Sequence, residues 1–336
     1  MIADDIIKFT FSGDPADPIK RHLTGLYSFD HAFETADGQI GMPIGTGYEV
    51  FGAKSVGKST FCYSMAGILS TMLETNTILS DLEGFDAGHL RNILSHLNYT
   101  GNINLIHQGT DEQILEKFED AFLERGDFAP PKSEKGIHIK YGVGMFDSIA
   151  AISPVAEQKG DLGAANMGRR GFLMAQFTRR LLPTVHPRTV GSENVYFLTN
   201  HWYGDIGKNR YISPGGNVKD YLMGVQIHLK RKYVSIGGEQ KKNFPDGSYR
   251  LTGTLYKNRY GFDGTQFTVF IKSGVGIHRG LTAMFDALDL KLAKRGKTIK
   301  IGDESFGYLP SILRDKWQDD EFFQPFYDAL KENEDE

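Results

Sequence analysis

The stretch Gly52-Ala53-Lys54-Ser55-Val56-Gly57-Lys58-Ser59-Thr60 decides the fold of this 336-residue chain. It matches the pattern G-x-x-x-x-G-K-[ST], whose glycines let successive backbone N–H groups and a helix N-terminus face a polyphosphate. The apolar run at residues 48–51 predicts the strand that enters the loop, and residues 61–69 predict the helix that leaves it. The sequence therefore predicts a phosphate loop that binds a nucleoside triphosphate.

The residue types within the loop predict which atoms of the nucleotide each residue contacts. We predict that Lys58 reaches the β- and γ-phosphates and that the Ser59 hydroxyl holds Mg²⁺. The remaining nucleotide contacts are expected from Gly52, Lys54, Ser55, Val56, Gly57 and Thr60.

Composition restricts the class of protein. The net charge is −4, so affinity for nucleic acid requires a local basic patch. Apolar runs are shorter than a membrane span, and the acidic N-terminus lacks the features of a signal peptide. The single cysteine, Cys62, lies in the predicted apolar helix and fits a small core residue. We therefore expect a cytoplasmic protein without a membrane partner.

Strand-like and helix-like stretches alternate after residue 46, which predicts an α/β fold with a mostly parallel sheet covered by helices. We predict an N-terminal segment at 1–30 that contacts a neighbouring subunit, an ATPase core at 31–279 and a small C-terminal subdomain with an acidic tail at 280–336. The predicted strands are 77–80, 103–106, 143–146, 195–199, 225–229 and 267–271, with helical spacing at 114–123 and 171–182.

Three polar positions follow predicted strands. Asp147 ends an apolar strand as a Walker B acid does and is predicted to share the Mg²⁺ site with Ser59, although Asp is also common in turns. Glu83 is predicted to polarise the attacking water, while Asp81 or Asp86 has the alternative role of capping the next helix. Asn200 is predicted to sense the γ-phosphate.

The segment at residues 201–216 places aromatic and basic side chains among glycines. Such a loop can stack on bases and neutralise phosphates, which predicts a DNA-binding loop; the alternative is a disordered surface loop. A basic stretch that begins at Arg169 is either a second DNA contact or a solvated face. The predicted DNA-binding residues are Arg169, Trp202, Tyr203, Lys208, Arg210, Tyr211, Gly215 and Gly216.

Taken in order, the motifs resemble those of the RecA-family DNA recombinases, and the Asn-His pair at 200–201 is most similar to the phage UvsX-like members. The matching segments are residues 52–60, 81–83, 146–151, 199–201, 213–217, 256–259 and 274–277. The resemblance implies ATP and Mg²⁺ as cofactors, DNA-dependent ATP hydrolysis, and a helical filament on single-stranded DNA that pairs with homologous duplex DNA. It also implies partners of the single-strand-binding and loader type, and the cytoplasm of a bacterial host.

The same resemblance assigns further residues. Asp86 and His89 would lie near the adenine, and residues 154–168 would form a first DNA loop. Lys257 and Arg259 would reach the ATP of a neighbouring subunit and act with Lys58, Glu83 and Asn200 in catalysis. The N-terminal 25 residues depart from the family pattern, and residues 128–139 look like an insertion. Two other functions stay open at this point: a RecA-fold ring helicase and a non-catalytic recombination mediator.

Overall fold

A computed structural model describes residues 20–84, 86–99, 101–125, 128, 140–159, 168–185, 193–205, 210–212, 214–236 and 239–335. Residues 1–19 of the predicted N-terminal segment, almost all of the insertion at 128–139, residues 160–167 of the first DNA loop, and Lys208 lie outside this set.

Strands occur along the whole described chain. In chain order they are β1 (Arg21–His22), β2 (Met42–Pro43), β3 (Thr46–Gly52), β4 (Asn76–Asp81), β5 (Ile103–Ile106), β6 (Tyr141–Asp147), β7 (Val195–His201), β8 (Tyr203–Asp205), β9 (Arg210–Ile212), β10 (Val225–Lys232), β11 (Val234–Ile236), β12 (Glu239–Lys241), β13 (Tyr249–Asn258), β14 (Gln266–Lys272), β15 (Gly276–Ile277), β16 (Lys294–Arg295), β17 (Ile299–Ile301) and β18 (Glu304–Gly307).

Helices connect most of the parallel strands. They are α1 (Tyr27–Ala32), α2 (Lys58–Met72), α3 (Ala87–His96), α4 (Asp111–Phe122), α5 (Val155–Gln158), α6 (Arg169–Val185), α7 (Gly216–Leu222), α8 (Arg279–Asp289), α9 (Leu309–Ser311) and α10 (Asp320–Asp335). A 3₁₀ turn at Ile149–Ala151 and a π turn at Ile312–Lys316 complete the helical elements of the described residues.

The central sheet contains nine of the described strands in the order β15-β14-β13-β10-β3-β7-β6-β4-β5. Neighbours from β10 to β5 run parallel, and β13, β14 and β15 continue the sheet with antiparallel pairings. The predicted mostly parallel sheet flanked by helices is confirmed. The sequence analysis did not identify β13 as a strand, although the segment 256–259 reaches its end.

Apolar side chains cover both faces of this sheet. Phe29 of α1, Phe61 of α2 and Ile93 of α3 belong to one buried cluster with β3 and β10. Phe118 of α4 and Phe177 of α6 belong to a second cluster with β6 and β7. The helices therefore lie on both faces, the arrangement that continuous apolar runs in parallel strands require.

A third buried cluster joins the C-terminal elements to the sheet. Phe285 of α8 stacks on Phe270 of β14, with ring centroids 5.3 Å apart, and Phe323 of α10 lies in the same cluster. The strands β16, β17 and β18 form a small antiparallel sheet beside it. The boundary at residue 280 stays a prediction.

Strand register brings the polar strand ends to one edge of the sheet. Asp81 at the end of β4 pairs in register with Asp147 at the end of β6, and Gly52 at the end of β3 pairs with His201 at the end of β7. Ligands of open α/β sheets bind at the carboxyl ends of the strands. Of the helices that the structure describes, none has the length and apolar character needed to cross a membrane.

Candidate nucleotide-binding site

The phosphate loop connects the central strand β3 to α2. Ser55 has φ 58° and Gly57 has φ 115°, so the chain turns through the left-handed region twice before the helix begins. A Cβ atom on Gly57 would lie 2.5 Å from the Tyr249 hydroxyl oxygen, which only glycine avoids. The loop thus curls over the N-terminus of α2, where backbone N–H groups can face a polyphosphate.

Lys58 lies inside this loop. Its Nζ donates to the carbonyl oxygens of Gly52 at 3.4 Å and Ala53 at 3.2 Å. Burial lowers the pKa of Lys58, while the carboxylates of Asp147 and Glu83 act in the opposite direction. The cation is therefore close to Glu83, which is predicted to polarise the attacking water, and to Asp147, which is predicted to share the Mg²⁺ site.

Asp147 and Ser59 form the predicted metal pair. The buried Asp147 carboxylate accepts hydrogen bonds from the hydroxyls of Ser59 and Thr199. Burial raises the pKa of Asp147, and these two hydrogen bonds oppose the rise. No group of three or more His, Cys, Asp or Glu side chains within the described ranges could hold a metal. One hydroxyl and one carboxylate suit Mg²⁺, which keeps several waters and binds through few protein oxygens together with phosphates.

Glu83 follows β4 and faces the cleft with 44 % of its side chain exposed. Its Oε1 accepts a hydrogen bond from the Ser148 hydroxyl and lies 3.1 Å from Nε2 of His201. Asp81, by contrast, accepts from the backbone N–H groups of Glu83 and Gly84 at 2.9 Å each. Asp81 therefore shapes the turn that presents Glu83.

The two residues expected near the adenine lie at the start of α3. Asp86 caps this helix by accepting from the N–H groups of Gly88 and His89 at 2.9 and 3.0 Å. Nε2 of His89 lies 3.2 Å from the Thr60 hydroxyl, next to the phosphate loop. The capping alternative for Asp86 is thus present in the structure, and the adenine contact stays a prediction.

The position of Asn200 differs from the expectation that it faces the γ-phosphate. Its amide is buried and donates to Oε1 of Glu49 at 2.7 Å and to the Pro214 carbonyl at 2.8 Å. His201, the next residue, lines the cleft beside Glu83. Consecutive strand residues point to opposite faces, so only one of the two can reach the nucleotide.

Asn200 belongs to a buried polar network that the sequence analysis missed. Nζ of Lys219 lies 2.7 and 2.8 Å from the two carboxylate oxygens of Glu49, and both side chains are fully buried. The Gln226 amide donates to the same carboxylate at 2.7 Å. The network joins the strand that enters the phosphate loop to α7, which follows the predicted DNA loop. Glu49 within an apolar strand was the available signal.

The predicted DNA loop at residues 201–216 contains an antiparallel hairpin of β8 and β9, a regular element that was not expected there. Register pairs Tyr203 with Ile212 and Asp205 with Arg210, and Tyr211 lies on the same strand as Arg210. These backbone positions keep Tyr203, Arg210 and Tyr211 on one hairpin.

Trp202 is placed differently from a loop residue that is free to stack on bases. Its ring lies 5.1 Å from that of Phe51, 3.8 Å from that of His228 and 6.3 Å from that of Tyr256, measured between centroids. Trp202 also lines the nucleotide cleft. Its packing against neighbouring strands makes it a wall of the cleft.

The ends of the two predicted DNA loops meet. Gly215 and Gly216 open α7 with φ of 105° and 77°, and a Cβ on Gly216 would lie 3.4 Å from the Gly171 Cα of α6. Arg169 is the exposed first residue of α6. The helices that follow the first and second loops therefore begin side by side.

Lys257 and Arg259 lie at the other end of α7. Nζ of Lys257 donates to the carbonyl oxygens of Asp220 at 2.5 Å and Tyr221 at 3.2 Å, and Arg259 also donates to that of Tyr221. Burial lowers the pKa of Lys257, and the nearby Arg259 adds to this effect. Neither residue lines the cleft of its own chain, and their contact with a neighbour's ATP stays a prediction.

The cleft has a volume of about 700 Å³. Phosphate-loop residues line it together with Glu83, Asp147, His201, Trp202, Arg231 and Tyr249. Sequence reasoning missed His201, Arg231 and Tyr249 as cleft residues. Strand alternation indicates that only one of Asn200 and His201 enters the cleft but does not say which, Arg231 is one of several basic residues in a row, and Tyr249 carries no motif.

The phosphate loop on a central parallel strand, with acids at the ends of the adjacent strands, defines a P-loop nucleotide-binding protein of RecA-like architecture. No protein-family model matches the chain. It is 23 % identical to protein RecA of Aquifex aeolicus over 82 % of this chain and 74 % of the relative. It is 25 % identical to protein RecA of Aquifex pyrophilus, over 84 % of this chain and 74 % of that protein. Protein RecA 2 of Myxococcus xanthus is 25 % identical over 78 % of this chain and 67 % of its own length.

These similarities extend over most of the chain and, together with the RecA-like fold, support a relationship to the RecA family. They support the family as a whole and not the UvsX-like subgroup, so the phage assignment suggested by the Asn-His pair is unsupported.

Proposed function

We propose that the chain is an ATP-dependent DNA recombinase, which assembles on single-stranded DNA and promotes homologous pairing and strand exchange. The RecA relatives support this proposal. Its main structural support is the connection between the nucleotide cleft and the predicted DNA loop. His201 beside Glu83 begins the loop, and Asn200 holds the Pro214 carbonyl near its end.

The proposed chemistry is DNA-dependent hydrolysis of ATP. Lys58 and the loop N–H groups would bind the phosphates, and Ser59 with Asp147 would hold Mg²⁺, which supplies charge neutralisation at the phosphates. Glu83 is half exposed and within reach of the cleft, so it would accept the proton of the attacking water. His201 would connect the position of Glu83 to the loop through their 3.1 Å contact.

The proposed DNA contacts are those of the two loops. Arg169 and Arg210 would neutralise phosphates together with Lys208, and Tyr203 and Tyr211 would stack on bases. The glycines at 215 and 216 would let the DNA backbone approach α7. Sequence would be read by base pairing with the homologous duplex, and the protein would bind mainly the backbone.

A filament is the proposed assembly. In it, Lys257 and Arg259 would add positive charge at the ATP of the neighbouring subunit, where they would stabilise the transferring phosphoryl group. Their present contacts with the last carbonyls of α7 would then connect that ATP to the DNA loop. Single-strand-binding and loader proteins in a bacterial cytoplasm would be the remaining partners.

Electron microscopy with single-stranded DNA and a non-hydrolysable ATP analogue tests this function. Extended helical filaments that require both nucleotide and DNA are expected. Closed rings would favour the helicase alternative. Short oligomers that ignore DNA, combined with an ATPase that DNA does not stimulate, would favour the mediator.

A further inference from the structure

Arg231 of β10 lies in the cleft and contacts the backbone of the phosphate loop. Its Nη2 donates to the Ser55 carbonyl at 3.1 Å, and its Nε donates to the Val56 carbonyl at 3.4 Å. Its Nη1 donates to Oδ1 of Asn243 at 2.5 Å. One guanidinium thus contacts two consecutive loop carbonyls and the segment that leads from β12 to β13.

The guanidinium of Arg231 stacks on the ring of Tyr249. The centre of the guanidinium lies 3.9 Å from the centroid of the Tyr249 ring. The Tyr249 side chain is buried and its hydroxyl lies beside Gly57, where α2 begins. Its hydroxyl oxygen also occupies the space that a side chain at position 57 would need. Tyr249 therefore fixes both the end of the loop and the arginine above it.

The phosphate loop has a structural requirement that this pair meets. N–H groups that face inward for phosphates leave carbonyl groups that face outward, and those carbonyls need hydrogen-bond partners. Ser55 has φ 58°, which a non-glycine residue adopts only when its surroundings hold it there. A planar guanidinium offers several donors in a fixed geometry and stacks on an aromatic ring; an ammonium group does neither.

We propose that Arg231, seated on Tyr249, is a positioning residue that holds the phosphate loop in its nucleotide-binding conformation. This proposal rests on the proposed ATP binding. It predicts that the planar geometry of the guanidinium is required in addition to its positive charge, because the guanidinium donates hydrogen bonds to loop carbonyls. A residue that acted only as a positive charge near the phosphates would be replaceable by lysine.

The test measures the dissociation constant of mant-ATP in the presence of Mg²⁺ for the wild type and four variants. Arg231→Gln and Arg231→Lys should each weaken binding about tenfold, the size of effect expected when hydrogen bonds from a charged group are lost. Tyr249→Phe keeps the ring and removes the hydroxyl that packs beside Gly57, so it should weaken binding about threefold. Lys230→Gln removes an exposed cation from the neighbouring position of β10 and should leave binding unchanged.

Two further readouts separate positioning from general damage. The rate of ATP turnover at saturating nucleotide should stay within about threefold of wild type, because the loop is in its binding form once ATP is present. Thermal unfolding without nucleotide should change little in Tyr249→Phe, so weaker binding in that variant would support positioning even if the Arg231 variants are less stable.

Several results would overturn the proposal. Wild-type affinity in Arg231→Lys would show that only the positive charge of Arg231 is needed. Wild-type affinity in both Arg231→Gln and Tyr249→Phe would show that neither residue positions the phosphate loop. Equal loss in Lys230→Gln would point to the overall positive charge of the strand. A wild-type protein that binds no mant-ATP would contradict the proposed function as well as the role of this pair.

Discussion

Replacing Lys219 by methionine tests the buried network that joins the phosphate-loop strand to α7. The substitution keeps the length of the side chain and removes its charge. In the native protein, Nζ of Lys219 is fully buried and contacts both carboxylate oxygens of Glu49, at 2.7 and 2.8 Å. Lys219→Met leaves the Glu49 charge buried, with amide donors from Asn200 and Gln226 at 2.7 Å each.

Removal of one partner from a buried ion pair costs about 3–5 kcal/mol of unfolding free energy. Two amide donors remain on Glu49, so we expect a loss near the lower end, about 3 kcal/mol. The pair variant Glu49→Gln with Lys219→Met leaves no unpaired charge that is fully buried, because Asp220, the other carboxylate that Lys219 contacts, is 44 % exposed. Its loss should be about 1 kcal/mol.

Urea unfolding followed by circular dichroism measures these losses. Lys331→Met serves as the matched control, because Lys331 is exposed on α10, and its unfolding free energy should change by less than about 0.5 kcal/mol. The reasoning is refuted if Lys219→Met loses less than about 1 kcal/mol, or if the pair variant is no more stable than the single variant.

Three further predictions address catalysis, pH and assembly. Glu83→Gln should keep ATP affinity and reduce turnover by about 10² or more, measured as phosphate release with single-stranded DNA; wild-type turnover would exclude Glu83 as the base. Burial lowers the pKa of His278 to about 4, so unfolding takes up a proton as the pH falls below 6.5, and this residue should reduce stability by about 2 kcal/mol between pH 7 and pH 5. His278→Asn keeps an acceptor for the Leu281 N–H and should remove that share of the pH dependence; identical pH profiles for the two proteins would contradict the assignment. Lys257→Ala should preserve ATP binding by the isolated chain and lower DNA-dependent turnover at least tenfold, and unchanged turnover would contradict the role in the neighbouring site.

The fold and the geometry of the candidate nucleotide site could be predicted from the sequence because local patterns determine them. The loop at 52–60 specifies a strand, a tight turn and a helix, and each apolar run ending in Asp81 or Asp147 specifies a strand whose end faces the ligand. Parallel packing then brings those ends together without further information.

The directions of the Asn200 and His201 side chains were harder to predict from the sequence. Both residues follow the same apolar run, and the motif alone does not say which one points into the cleft. Strand alternation fixes opposite directions for the two side chains, and the direction is decided by Glu49 on the neighbouring strand, which binds Asn200.

Contacts between distant segments could not be predicted. Lys219 meets Glu49 across 170 positions of sequence, and Arg231 meets Ser55 across 176. No local period or motif marks such pairs, because they depend on the order of strands in the sheet. The ring contacts of Trp202 could not be predicted for a related reason: its partners Phe51 and His228 lie on strands that only the fold places beside it, and its contact with DNA stays a prediction.

Homologous pairing is the most direct test of the proposal that this chain is an ATP-dependent DNA recombinase. The measurement is joint-molecule formation between a labelled single strand and a supercoiled duplex, with ATP and Mg²⁺, for the wild type and Lys58→Ala. The wild type should form joint molecules that require ATP and sequence homology, and Lys58→Ala should form none. A wild-type protein that hydrolyses ATP on single-stranded DNA yet forms no joint molecules with homologous duplex would contradict the recombinase function.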